Sequence, residues 1–305
     1  MEGFVNTRHS TLHTWLQLFR APNLFTVPGD PLAGFLLANA GFLDHTLVFV
    51  ILASVCFYSA GLLQNDLADE EVDRQERPDR PIPSGAARRT SVQWTLWALN
   101  LGGILLCAAT QAPRVALTGA GIVLAVTLYN RFTKHLPVLG AVNMGVCRGL
   151  SVLLGAFAGP LNYTSSWTLA LLPTGIFAVY IAAVTNLARH ETRSSVPIFA
   201  RLFPSLVIVG GAAAGISFAL TSPSQTPASF FFALAAIATL WLAVRLFKGR
   251  TPLPPLIGAH IRVLLILQAA VCYLADPRDF GRYAAFVLLA LWPISARVSR
   301  RFYAS

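Results

Sequence analysis

LVFVILASVCFYSAGLLQNDLADEEVD, residues 47–73, begins in apolar side chains and ends in carboxylates. Residues 47–63 form one uninterrupted run of mostly apolar and small residues, and the span read over 47–68 is long enough for the roughly 17–25 helical residues that cross a bilayer. The end of the stretch, Gln64-Asn65-Asp66-Leu67-Ala68-Asp69-Glu70-Glu71-Val72-Asp73, carries its charge just where such a helix would leave the hydrocarbon. An all-α membrane bundle with a polar site at one face is therefore the expected fold class.

The rest of the chain repeats the pattern. Similar apolar segments lie near 22–41, 91–110, 114–130, 138–158, 168–188, 202–220, 229–247, 259–275 and 283–298, which gives a polytopic transmembrane helix bundle of about nine or ten spans. The 305 residues are 55% hydrophobic and 12% charged, against about 25% charged in soluble domains. Pro28 and Pro31 are expected to kink or break the first span. Residues 10–20 read as an interfacial helix with Trp15 and Phe19 on its apolar side. Met1–Gln17 has no apolar core followed by a small-residue cleavage site, so the first span is expected to be retained. The whole chain, 1–305, reads as one integral membrane domain.

Charge sets the orientation. If the N-terminus is cytoplasmic and ten spans alternate, then of the 23 Lys and Arg only Arg114, Arg278 and Arg282 fall outside, with Arg148 inside a span. Positive residues collect on the cytoplasmic side of membrane proteins, so an N-terminus in the cytoplasm and a bacterial inner (plasma) membrane are expected. The net charge of +10 then reflects topology rather than nucleic-acid binding, and no nucleic-acid partner is expected. Cys56, Cys107, Cys147 and Cys272 sit in apolar runs without metal-ligand spacing, so neither zinc nor a disulfide framework is expected.

The acidic patch is the chemical signal. Asp66, Asp69, Glu70, Glu71, Asp73, Glu76 and Asp79 are seven of the 13 acids. On a continued helix Asn65, Asp69 and Asp73 recur at every fourth residue and Asp66 joins the same face. Carboxylates so crowded repel one another unless a cation joins them. Mg²⁺ binds through one or two carboxylates plus substrate phosphates, and Arg74, Arg77 and Arg80 follow immediately, as phosphate oxygens require. The alternative is a solvated helix end with surface ion pairs. Position at a membrane boundary favours function.

Asn65-Asp66-x-x-Asp69-x-x-x-Asp73, followed by Arg77-Pro78-x-Arg80-Pro81-Ile82-Pro83-Ser84-Gly85, resembles the first signature of the UbiA superfamily of intramembrane prenyltransferases. Arg20-Ala21-Pro22-Asn23-Leu24 and Tyr129-Asn130…Lys134…Gly140…Arg148-Gly149 are similar to further parts of that family. The resemblance implies about nine helices around a cavity and transfer of a prenyl group from an isoprenyl diphosphate to an acceptor, with Mg²⁺ as cofactor. It implies Asp66, Asp69 and Asp73 as catalytic and metal-binding residues. Asn65, Arg77, Arg80, Lys134, Arg148, Arg189 and Arg193 would meet the diphosphate, and Asn23 and Tyr129 would line the cavity. A second Asp-x-x-x-Asp motif is expected at the end of the sixth span. Here Glu191 stands for the first acid, as a remaining metal ligand, and Ser195 replaces the second. The Thr185-x-x-x-Arg189-x-Glu191 form resembles the EboC branch of the superfamily, linked to metabolite export. That resemblance keeps a non-catalytic, lipid- or metabolite-binding alternative open. Asp30, between Gly29 and Pro31, reads as a helix cap, and Tyr129 and Tyr180 read as structural packing, with a π contact to a cation as the alternative.

Overall fold

The computed structural model describes residues 11–39, 43–159, 167–191, 196–249 and 251–300. Among them the regular structure is helical throughout. Three short helices, α1 (Thr11–Leu18), α2 (Ala21–Leu24) and α3 (Gly29–Ala38), precede the long α4 (Thr46–Ala68), and α5 (Glu70–Glu76) follows it directly. Then come α6 (Arg89–Ala109), α7 (Pro113–Leu128), α8 (Pro137–Ala156), α9 (Leu171–Ala188), α10 (Ile198–Ala219), α11 (Ala228–Lys248), α12 (Leu253–Ala275) and α13 (Phe280–Ser299).

Eight of these helices, counting α7 with its continuation to Thr133 and α9 with the turn that precedes it, are long and apolar enough to cross a membrane. The first and last spans read from the sequence behave differently. Residues 22–41 do not form one span: the chain breaks between Leu24 and Gly29, around Pro28, as the prolines demand. The remaining ten-residue α3 rises only about 15 Å, too short to cross a bilayer. It is buried along nearly its whole length rather than turned to lipid. α13 has the length, at 20 residues, but is not among those eight. The N-terminal α1 packs onto the bundle by its apolar side. Its Leu18 packs with Leu63, Ile82, Val92 and Leu96, and Trp15 and Phe19 lean on that cluster. It therefore roofs the acidic end of α4.

Neighbours in sequence pack as hairpins: α10 with α11, α11 with α12, α12 with α13, and α8 with α9. Against these, α3 inserts between α8 and α12. Glycines make that insertion possible. A Cβ on Gly155 would fall 1.9 Å from the Pro31 carbonyl oxygen, and one on Gly34 would fall 2.0 Å from that of Val152. Small residues let membrane helices approach at the backbone. Gly155→Leu is therefore expected to destabilise the detergent-solubilised protein by more than the ~1–3 kcal/mol typical of an overpacked side chain, because backbone rather than a flexible side chain must yield. Gly175→Leu, at a position where a new Cβ meets nothing within 4 Å, should leave the melting temperature nearly unchanged.

Candidate active site

α4 carries the acidic stretch to its end and stops one residue before Asp69, whose ψ of 1° interrupts the helix. The backbone still follows a helical path, with Asp69 N–H donating to the Asn65 carbonyl at 2.9 Å and Asp73 N–H to that of Asp69 at 2.8 Å. The side chains, however, do not share one face as the sequence suggested. Asp66 and Asp73 turn to the same guanidinium. Arg80 Nη1 lies 3.5 Å from Asp66 and donates to Asp73 at 2.8 Å. Arg20 reaches the same Asp66 oxygen, also at 3.5 Å. Asp69 instead pairs with Lys134. The physical reason is competition among cations. Lys134 follows a π-helical turn, Tyr129–Thr133, that extends α7, and it draws Asp69 away from the other two acids. Such turns often occur at functional sites.

Among the described residues no three of Asp, Glu, His and Cys gather into one ligand set. The expectation that Asp66, Asp69, Asp73 and Glu191 form a common metal site is therefore not met in this arrangement. What is present is a pair, Asp66 and Asp73, around a single cationic atom. Two carboxylates so held suit an ion that takes one or two protein carboxylates and completes its shell with phosphate oxygens.

Beneath this end lies a cavity of about 330 Å³. Asn65, Tyr129 and Arg20 line it toward the acidic patch, and Glu191, from the end of α9, lines it too. Asn65 and Glu191 thus bring the two polar helix ends to one hollow, while Asp66, Asp69 and Asp73 lie beside it and are not among its lining residues. Ile122, Val126, Val184 and Ile257 supply apolar walls. Asn23, buried at 6% exposure, lines it as well.

The other expected residues divide. Arg77 is exposed at the end of α5 and makes no ion pair among the described residues, so it is not gathered into the site. Arg189 caps the C-terminal end of α9, half-buried. Arg193 and Ser195 lie outside the described residues. Arg148 does line the cavity, but eleven residues into α8, about 17 Å along its axis. Its partner is Asp30, at 2.5 Å, not an acid of the patch. Asp30 makes no capping hydrogen bond at the start of α3, so its reading as a cap is corrected: it is the counter-ion of a buried arginine. Tyr180 is not at the cavity. Its hydroxyl donates to the His260 carbonyl at 2.8 Å, inside the packed helices. Gln268, Tyr58, Ser54 and Ser151 were missed in the sequence. A signal existed for Gln268, the one polar residue in the apolar run Leu264–Cys272.

The sequence profile described as the UbiA prenyltransferase family matches residues 31–203, more than half of the chain. The chain belongs to that family. UbiA relatives include a digeranylgeranylglyceryl phosphate synthase from Methanoculleus marisnigri, 28% identical over 163 residues, a match covering 53% of this chain and 58% of that protein. Another, from Methanopyrus kandleri, is 29% identical over 270 residues, covering 87% of this chain and 88% of its own length. With the first relatives, then, the match spans only a little more than half of their length. Among solved structures, a UbiA homologue from Aeropyrum pernix superposes with a TM-score of 0.67 at 19% identity, covering 82% of this chain and 96% of the other. One from Archaeoglobus fulgidus, bound to DMAPP and Mg²⁺, gives 0.60 at 15% identity, covering 92% and 99%. At these identities the likeness concerns the fold, and it agrees with the UbiA-like helix bundle read from the sequence.

Proposed function

We propose that this UbiA-family protein transfers a prenyl group from an isoprenyl diphosphate to an acceptor within the membrane, with Mg²⁺ as cofactor. The observation that carries the reading is the convergence of Asp66 and Asp73 on one Arg80 nitrogen beside a hollow lined by Asn65 and Glu191. Asp66 and Asp73 would hold the metal, with Asn65 and Glu191 near it. Mg²⁺, when bound, neutralises charge on the leaving diphosphate. Arg80 and Lys134, which pair with carboxylates of the acidic patch, would supply positive charge to the phosphate oxygens. In the reaction the C1–O bond of the donor breaks, diphosphate leaves with its electron pair, the allylic carbon bonds the acceptor nucleophile, and the acceptor gives up a proton. The apolar cavity walls keep water from the cation. The homologue from Archaeoglobus fulgidus carries DMAPP and Mg²⁺, and the named relatives are digeranylgeranylglyceryl phosphate synthases, which supports this assignment.

The distribution of positive residues supports a multi-pass plasma-membrane protein with a cytoplasmic N-terminus, which puts the acidic patch on the cytoplasmic side. Purified protein given DMAPP, geranyl, farnesyl and geranylgeranyl diphosphates is expected to release pyrophosphate with at least one of them, and chelation of Mg²⁺ should stop it. A second reading is motivated by Ser195 standing where the family's second motif has an acid: a non-catalytic protein that binds a lipid or metabolite and assists its export. Binding of these donors without turnover, across several acceptors, would favour it.

A further inference from the structure

The deep part of the cavity is not apolar. Asp30, on the first turn of α3, is 1% exposed and Arg148, on α8, is 9% exposed, yet both line the hollow. Gln268 Nε2 donates at 2.7 Å both to Asp30 Oδ1 and to the Thr26 carbonyl, and Arg148 Nη2 donates to that same carbonyl at 2.7 Å. A rigid frame thus fixes the ion pair inside the membrane. Asp30 Oδ2 and Arg148 Nε pair directly at 2.5 Å. Asn23, on the adjoining α2, has a buried Oδ1 with no partner. Opposite, the hydroxyls of Ser54 and Ser151 are 2.8 Å apart.

Buried polar atoms left unpaired are costly, and at the floor of a ligand cavity they describe the ligand. The unmet acceptor on Asn23 asks for a donor. A guanidinium has five N–H groups, more than the two that point at Asp30 and Thr26, so Arg148 has N–H left to give to a ligand oxygen. A group that both donates and accepts fits both needs. A carboxylate or phosphate does not: it would lie against the Asp30 carboxylate, and Arg148 is already neutralised. A hydrocarbon tail would leave every one of these groups unmatched. We infer that Asn23, Asp30 and Arg148 form a subsite for an uncharged hydroxyl on an otherwise apolar acceptor. This rests on the prenyl-transfer reading for the word acceptor, not for the binding itself.

The test uses the full chain in lipid nanodiscs, with empty nanodiscs correcting for partition. The probes are 4-hexylphenol, 4-hexylbenzoate and hexylbenzene, which differ only in the polar group. The phenol is expected to bind at least tenfold more tightly than either of the others. Asn23→Leu, and separately the neutral pair Asp30→Asn with Arg148→Gln, should erase the preference. Equal binding of phenol and hexylbenzene to the unaltered protein, as a floor satisfied by water alone would give, overturns the subsite. So does a preference that survives both variants. Geranyl diphosphate with Mg²⁺ is measured in parallel. If the donor neither binds nor turns over while the phenol preference holds, the enzyme assignment falls and the subsite stands. If the donor turns over and the preference is missing, the reverse is true.

Discussion

Asp66→Asn together with Asp73→Asn is expected to lower Mg²⁺-dependent pyrophosphate release by at least about a thousandfold. Losing even one preorganised group that stabilises transition-state charge costs roughly 10²–10³ in rate, and this pair would remove both carboxylates that share Arg80. Asparagine keeps the shape, so the effect would read charge rather than packing. Asp69→Asn alone should cost less, because that side chain pairs with Lys134 instead of the shared guanidinium. The check is initial-rate measurement across a Mg²⁺ titration. An affinity loss that high Mg²⁺ rescues would mark the acids as metal ligands. A double variant with full activity at ordinary Mg²⁺ would remove the basis for the enzyme assignment.

The acidic residues were legible in the sequence because polar groups at the end of an apolar run have few bland explanations. Their arrangement was not. Helical periodicity placed Asn65, Asp66, Asp69 and Asp73 on one face, but periodicity knows nothing of Lys134, which arrives from a turn 65 positions away and takes Asp69. The broken first span was legible for a local reason, proline. The counter-ion of Arg148 was not, since Asp30 looks like a cap from its neighbours alone. The pairing depends on the insertion of α3 against α8, through contacts at Gly34 and Gly155, that no local pattern announces. The composition of α3 was misread for the same reason. The apolar run that follows Pro31, residues 32–38, looks like part of a spanning helix, whereas nine of the ten residues of α3 are buried inside the bundle.

The buried pair yields the other large effect, on stability. Removing one partner of a buried ion pair typically costs about 3–5 kcal/mol because the remaining charge is uncompensated, but the two directions should differ. Arg148→Met leaves a carboxyl that keeps the Gln268 donor at 2.7 Å and is able to take up a proton, which removes the buried charge. Asp30→Leu leaves a guanidinium that cannot lose its proton and retains only the Thr26 carbonyl, at 2.7 Å. Asp30→Leu is therefore expected at or above the upper end of that range and Arg148→Met toward the lower end, read as the loss in melting temperature of the purified protein in detergent. The double replacement, Asp30→Leu with Arg148→Met, should recover most of the loss, since well-packed apolar residues often replace a buried pair at no net cost. The coupling between the two positions is the decisive quantity. If the single losses simply add in the double variant, Asp30 and Arg148 do not compensate one another, and the polar floor of the cavity is held by Gln268 and the α2–α3 break alone.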